Sequence, residues 1–298
     1  MIEFINFYLI PGLVLGCMYA LGAIGISLLF GILRFAHFAH GDVITLGAYF
    51  GLLFVTTLGF PVLLALPVAM ILTAIVSVLL DRGFYRPFRN SPTIYLVIAS
   101  FGVALMIRSA VQLLWGVKVE SYAAGTFSKP LIFFDTLRIA DKHLWIAGLT
   151  VVIVVTLHYF LSRSKLGKAM RAMADEPDLA QVSGIPTERV VRATWVIGGG
   201  LAATAGVFLG MDTQLHTNMG WDLLLPIFAA AILGGIGSPY GAVAGGLVIG
   251  LAEELSSYPW IGDAPLLSPG YKTGVAFALM VALLIWRPSG LFKGRVFT

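Results

Sequence analysis

Residues 4–33 read FINFYLIPGLVLGCMYALGAIGISLLFGIL, a run without a charged side chain. A helix of about 20 mostly apolar residues crosses the hydrocarbon core of a bilayer, so this run is expected to span a membrane. The pattern recurs along the chain. Val43–Leu80 is also uncharged; it is too long for one span and breaks at Gly59-Phe60-Pro61, so it reads as two. Thr93–Trp115, with Arg108 as its one charge, Leu144–Leu161 and Ala193–Met211 follow. Leu223–Ala252 carries a glycine-rich interruption, and Thr273–Trp286 closes the series. The expected fold is an all-α polytopic membrane protein, one transmembrane domain over residues 1–298, with eight spans, or nine if the interrupted run crosses twice.

Composition agrees. The chain of 298 residues is 58% hydrophobic and only 11% charged, against roughly a quarter charged in soluble domains. A mean hydropathy of +0.92 points to lipid as the solvent. The net charge of +4 falls in short segments between apolar runs and does not read as nucleic-acid binding. Cys17 is the one cysteine, inside an apolar run, so neither a disulfide nor a cysteine metal site can be built. Met1-Ile2-Glu3-Phe4 lacks the basic start of a cleavable signal peptide, so the first run is expected to remain as an anchor.

Lys and Arg gather on the cytoplasmic side of membrane proteins. Arg82, Arg86 and Arg89 form one cluster. Arg163, Lys165, Lys168, Arg171, Arg189 and Arg192 form a second, and Arg287, Lys293 and Arg295 a third. With all three cytoplasmic, the mixed-charge segment Gly116–Lys142 faces outward. The interrupted run must then cross twice, which favours nine spans, an outward N-terminus and a cytoplasmic C-terminus.

Four segments could carry function. His37, His40 and Asp42 sit between the first two spans, where ionisable groups are costly unless they face water or protein. His37 and His40, three apart, would share a helix face but make a poor metal site without a third ligand. The segment reads either as an interfacial turn with Asp42 capping the next helix or as part of a gate or ligand path. The run Gly234-Gly-Ile-Gly-Ser-Pro-Tyr-Gly241 breaks the helical ladder, which survives at membrane depth only beside protein or a watery cavity. Gly41 and Gly241 stand in loosely similar contexts near opposite ends of the chain. Arg108 and Gln112 share a face four residues apart, where Arg108 should pair or line a cavity. In Arg163–Arg192, Asp175 or Glu176 can cap a helix that has Pro177 in its first turn and Gly184 at its end, a docking element for a partner. Glu253 and Glu254 are expected to be solvated at an outer helix end, Asp212 and Asp222 to flank an outer docking loop, and His158 to be interfacial.

Some chemistry is missing. There is no Gly-x-x-x-x-Gly-Lys-[Ser/Thr] phosphate loop, no His-Glu-x-x-His and no Gly-x-Ser-x-Gly. No nucleophile, base and metal groups converge inside the spans, which argues against an intramembrane enzyme. Membrane acids that relay protons are scarce, which argues against a carrier working alone. Energy is expected from a separate subunit.

Several stretches together resemble the permeases of the branched-chain amino acid (Liv-type) ABC importers, particularly the shorter of their two paralogues. They are Phe38-Ala-His-Gly-Asp42; Arg163-Ser-Lys-Leu-Gly-Lys-Ala-Met-Arg-Ala-Met-Ala-Asp-Glu176 with Ala180, Gly184 and Ile185; Gly234–Gly246; and Arg287-Pro-Ser-Gly-Leu-Phe292. The resemblance covers essentially the whole chain. It implies an inner-membrane core of two permeases, this chain with a paralogue or a second copy, served by a periplasmic binding protein. It also implies two cytoplasmic ATPases that bind the ATP and magnesium, with no cofactor in this chain. The coupling helix would lie within Ala172–Ile185, with Ala172, Ala174, Glu176, Ala180, Gly184 and Ile185 at the ATPase. The substrate path would involve His37, His40, Gly41, Asp42, Arg108, Gln112, Gly234, Gly235, Gly237, Ser238 and Gly241. Two positions depart from the family: His37 replaces a usual Asn, and the position near Arg108 is usually uncharged. Relatives move branched-chain amino acids, urea, short amides or aromatic acids; an added His and Arg would suit a carboxylate-bearing substrate.

Overall fold

The computed structural model describes residues 2–122, 130–133, 137–260, 268–286 and 290–292. A helical turn, Ile2–Phe4, leads into α1 (Ile5–Leu33), followed by α2 (His40–Leu58), α3 (Val62–Phe88) and α4 (Thr93–Trp115). A two-stranded antiparallel hairpin, β1 (Pro130–Phe133) and β2 (Leu137–Ala140), pairs Leu131 with Ile139. Then come α5 (Asp141–Arg163), α6 (Lys165–Asp175), α7 (Pro177–Val182) and α8 (Thr187–Asp212). The last three helices are α9 (Met219–Gly234), α10 (Pro239–Leu255) and α11 (Lys272–Trp286). Helices α1 to α5 and α8 are the six among the described residues long and apolar enough to cross a membrane; α9 and α11 are apolar but shorter.

The apolar runs emerge as helices, and the breaks fall where glycine and proline put them. Gly59, with φ +66°, ends α2, and Pro61 precedes α3. The interrupted run divides into α9 and α10 at Gly235 and Gly237, whose φ angles of +107° and +86° only glycine adopts at low cost. The break is a tight turn between two packed helices. No pattern in the sequence of Gly116–Lys142 announces the hairpin.

Helices α1–α4 and α8–α11 pack as two equivalent quartets. α1 lies on α10 as α8 lies on α3, α1 on α9 as α8 on α2, and α2 on α4 as α9 on α11. α1 and α8 touch each other, and so do α2 and α9. The end of α1 reaches Gly237 and Ala174, beside the segment from which α8 starts, so the two quartets run in opposite senses. α1 and α8 are the buried centre. Their glycines set the spacing: Gly16 lies on Leu247, Gly250 on Gly16, Gly246 on Ala20, and Gly199 on Ala74 and Ser77. Small residues let backbones approach where lipid supplies no hydrophobic drive between helices.

One end of the bundle collects the basic segments. Arg89 pairs with Asp81 and, at 2.7 Å, with Glu188 at the start of α8. Residues 290–292 fold back on α9: Leu291 N–H donates to Leu233 O (2.9 Å) and Phe292 N–H to Gly234 O (3.1 Å). Arg287, Lys293 and Arg295 lie outside the described residues, as do Lys129 and Asp135 of the Gly116–Lys142 segment.

Candidate pathway and docking segment

α1 ends with Arg34 in the left-handed region, φ 56°, which turns the chain back on itself. Residues 35–39 then climb beside α1, so that the His40 ring packs against Gly25. Gly25 lies eight residues before Leu33, about 12 Å up the helix at 1.5 Å per residue. α2 therefore begins partway along its neighbour. The climbing backbone is satisfied: Phe38 N–H donates to Ser100 Oγ of α4 (3.2 Å) and His40 N–H to His37 O (3.2 Å). Phe38 stacks on Phe101 at 4.4 Å.

The second quartet repeats the device. After α8, residues 213–218 turn inward; Leu215 exchanges two backbone hydrogen bonds with Glu120 (2.9 and 2.8 Å). α9 starts at Met219, and Gly220 N–H donates to Thr45 Oγ1 of α2 (3.0 Å). The first turns of α2 and α9 cross at Gly41 and Gly220, where a Cβ on either glycine would strike the other's carbonyl. Gly41 thus finds its counterpart in Gly220 and not near Gly241, which packs on Gly234 across the α9–α10 turn.

Asp42 does not cap α2; Ala39 holds the cap position, without a side-chain bond. Asp42 is wholly buried and paired with Arg108 of α4, Nε to Oδ1 at 2.9 Å and Nη2 to Oδ2 at 3.2 Å. The Arg108 guanidinium also lies 5.0 Å from the centre of the Trp221 ring. Gln112, one turn on, donates to Thr217 Oγ1 (3.3 Å). Arg108 and Gln112 together clasp the start of α9 against α2. His37 shares a 2.9 Å hydrogen bond with the Tyr85 hydroxyl and sits edge-on to Trp195, 5.0 Å between ring centres. Both histidines are buried, and no group of three or more His, Cys, Asp or Glu among the described residues could hold a metal.

His37, His40, Gly41, Asp42, Arg108 and Gln112 thus form one cluster around the crossing. Gly234, Gly235, Gly237, Ser238 and Gly241 form another, in the turn beside α1. There Gly237 N–H donates to Ser27 Oγ (3.2 Å), and Ser238 Oγ caps α10 by accepting from Gly241 N–H (3.2 Å). Sequence reasoning missed Gly220, Trp221 and Thr217. Gly220 follows the end of α8 at nearly the same distance as Gly41 follows the end of α1, a spacing that could have found it.

Burial overturns one expectation. Glu253 is not solvated: it is 3% exposed and accepts from the Tyr19 hydroxyl at 2.6 Å. Asp212 is engaged within the chain, by Lys142 Nζ at 2.9 Å and His143 Nε2 at 3.2 Å. His158 is exposed and bonded to the Tyr240 hydroxyl at 2.9 Å.

In Arg163–Arg192, α6 and α7 form an elbow. Glu176 holds the cap position of α7 without a side-chain bond, Pro177 opens the helix, and Gly184 closes it with φ +81°. Ala180 is buried, Ala172, Ala174 and Ile185 are half-buried, and Glu176 and Gly184 are exposed. Leu179 and Val182 face outward at 65% and 87% exposure.

Two helices of this apolar bundle, α2 and α9, start partway along their neighbours, as the discontinuous helices of membrane transporters do. Residues 8–284 match the family described as branched-chain amino acid transport system / permease component, and the chain belongs to that family. The high-affinity branched-chain amino acid transport system permease protein BraD of Pseudomonas aeruginosa is 32% identical, the match covering 95% of this chain and 94% of that protein. LivH of Escherichia coli, with the same printed description, is 33% identical over 94% of this chain and 92% of its own. A probable LivH of Methanocaldococcus jannaschii is 28% identical over 90% and 86%. Two solved structures share the fold at a TM-score of 0.50. One is PsaBC of Streptococcus pneumoniae bound to a Fab, 14% identical, covering 92% of this chain and 90% of that one. The other is an inward-facing metal-chelate type ABC transporter, 15% identical, covering 95% and 88%.

Proposed function

We propose that this chain is the permease subunit of an ATP-binding-cassette importer that admits branched-chain aliphatic amino acids, or a closely related small polar solute, across the bacterial inner membrane. The observation that carries the reading is the family match over residues 8–284, which includes both the crossing and the docking elbow. Two cytoplasmic ATPases supply ATP and magnesium chemistry, a paralogous permease or a second copy completes the channel, and a periplasmic binding protein delivers solute. Nine crossings fit the helix inventory: six long helices with α9, α10 and α11. α9 has 16 residues, about 24 Å, short of the ~30 Å core. The inward-turning 213–218 segment makes up the difference. The basic end faces the cytoplasm with the C-terminus, and the N-terminus lies outside.

Helices that start at depth are a recurrent feature of solute paths. The cluster of His37, His40, Gly41, Asp42, Arg108 and Gln112 is proposed to govern passage. The Gly234–Gly241 turn is proposed to transmit motion from the cytoplasmic end, where Ala174 and Gly237 both approach Gly31 of α1. α7 presents Leu179 and Val182 to a groove of the ATPase, and rigid-body movement follows nucleotide-driven closure. Because Arg108 already has a carboxylate partner in Asp42, a substrate carboxylate would have to exchange with it.

The test is uptake of labelled leucine, isoleucine and valine into proteoliposomes holding the full complex, with ATP inside and binding protein outside. ATP-dependent accumulation supports the reading. Accumulation without ATP, or none of any of the three, contradicts it.

A further inference from the structure

On the side of the bundle away from α6 and α7, α1, α8, α9 and α11 leave a hollow of about 550 Å³ that opens on the surface. Small-molecule sites run from about 300 to 1,000 Å³. None of the pathway candidates above lines it. Its wall is divided chemically. Leu209, Met219 and Leu223 supply an apolar side. Asp222, His216 and Thr273 supply a polar one.

The polar groups are largely uncommitted. Asp222, with its side chain 64% exposed, has the His216 ring as its neighbour, Nε2 at 3.9 Å, too far for a hydrogen bond. Thr273 makes no side-chain hydrogen bond to another described residue. Tyr19, also in the wall, donates its hydroxyl to Glu253, whose other carboxylate oxygen, Oε1, is buried with no hydrogen-bond partner among the described residues. The wall thus offers one free carboxylate, with a second behind Tyr19. Facing them are an imidazole and a hydroxyl able to donate, next to a patch of aliphatic surface. That pattern matches a zwitterion carrying an apolar side chain.

We infer that this hollow is a low-affinity receiving site for an aliphatic α-amino acid entering from outside. Asp222 takes the ammonium, His216 and Thr273 donate to the carboxylate, and Leu209, Met219 and Leu223 face the side chain. The inference rests on the importer reading. It adds to that reading a solute contact in the permease itself, ahead of the crossing at Gly41 and Gly220.

The experiment uses the full complex with its binding protein and L-leucine as probe, comparing wild type with Asp222→Asn and Thr273→Val. Both positions are exposed, so neither change threatens the fold. Two quantities are read: leucine imported per ATP hydrolysed, and the affinity of the binding protein for the complex. Asp222→Asn is expected to lower import per ATP about tenfold, the scale of a lost charge-assisted hydrogen bond. Thr273→Val should lower it about twofold to threefold, with binding-protein affinity unchanged in both. Unchanged import per ATP in Asp222→Asn overturns the site while leaving the importer reading intact. A loss matched by weaker binding-protein affinity also overturns it and makes Asp222 a protein-docking contact. Wild type that imports no leucine contradicts the importer reading first, and the site falls with it.

Discussion

Gly41 and Gly220 meet backbone to backbone where the first turns of α2 and α9 cross, and Thr45 of α2 accepts the Gly220 amide at 3.0 Å. The two helices enter from opposite sides of the bundle, and each carries an acid in its first turn, Asp42 and Asp222. Carboxylates are favoured at that positive end of a helix. Only Asp42 is buried, and only Asp42 has a close cation.

Gly220→Ala should therefore destabilise the protein by about 1–3 kcal/mol, the usual cost of overpacking. Gly102, in α4, has open space where a Cβ would stand. Gly102→Ala should be neutral or stabilising by up to about 1 kcal/mol through helix propensity. Thermal unfolding in detergent separates the two; equal behaviour would mean that the crossing is looser than described.

The Asp42–Arg108 pair yields a second expectation. Removing one partner of a buried ion pair costs about 3–5 kcal/mol, because a charge is left without compensation. Asp42→Asn and Arg108→Gln should each lower stability on that scale, and the double variant should recover part of the loss. A coupling of about 0.5–3 kcal/mol in the cycle is expected. Strictly additive effects would show that the pair does not hold α4 to the crossing.

How the sequence foretold this site is uneven. Uncharged length marked the helices well, since a bilayer tolerates little else, and Gly59 and Pro61 placed one break. The inward-turning segments were not visible, because residues 34–39 and 213–218 differ little from ordinary interhelical turns. Arg108 could be read as needing a partner, but Asp42 lies 66 residues away and only packing joins them. Glu253 looked solvated from its place near a helix end; Tyr19 of α1 covers it, and nothing local in the sequence announces that.

Sidedness can be read by cysteine labelling. In a Cys17→Ser background, Gly59→Cys should react with an impermeant thiol reagent added to the periplasmic side, as the α2–α3 turn is exposed. Asp178→Cys, in α7, should react only after the membrane is opened. The reverse pattern would invert the topology.

Val182 tests the docking elbow without disturbing the bundle. It is 87% exposed, and surface changes usually shift stability by no more than about 0.5 kcal/mol. Val182→Asp should leave the melting temperature in place while reducing ATPase activity stimulated by the binding protein. Full stimulation in this variant would remove α7 from the interface.

The central claim is that an ATPase drives this permease through α7. The most direct measurement is a pull-down of the tagged protein from mildly solubilised membranes, wild type beside a Glu176→Lys, Gly184→Trp double variant. The expected result is an ATPase recovered with wild type and lost from the folded variant. Failure to recover any ATPase with wild type, or equal recovery with both, would contradict the account.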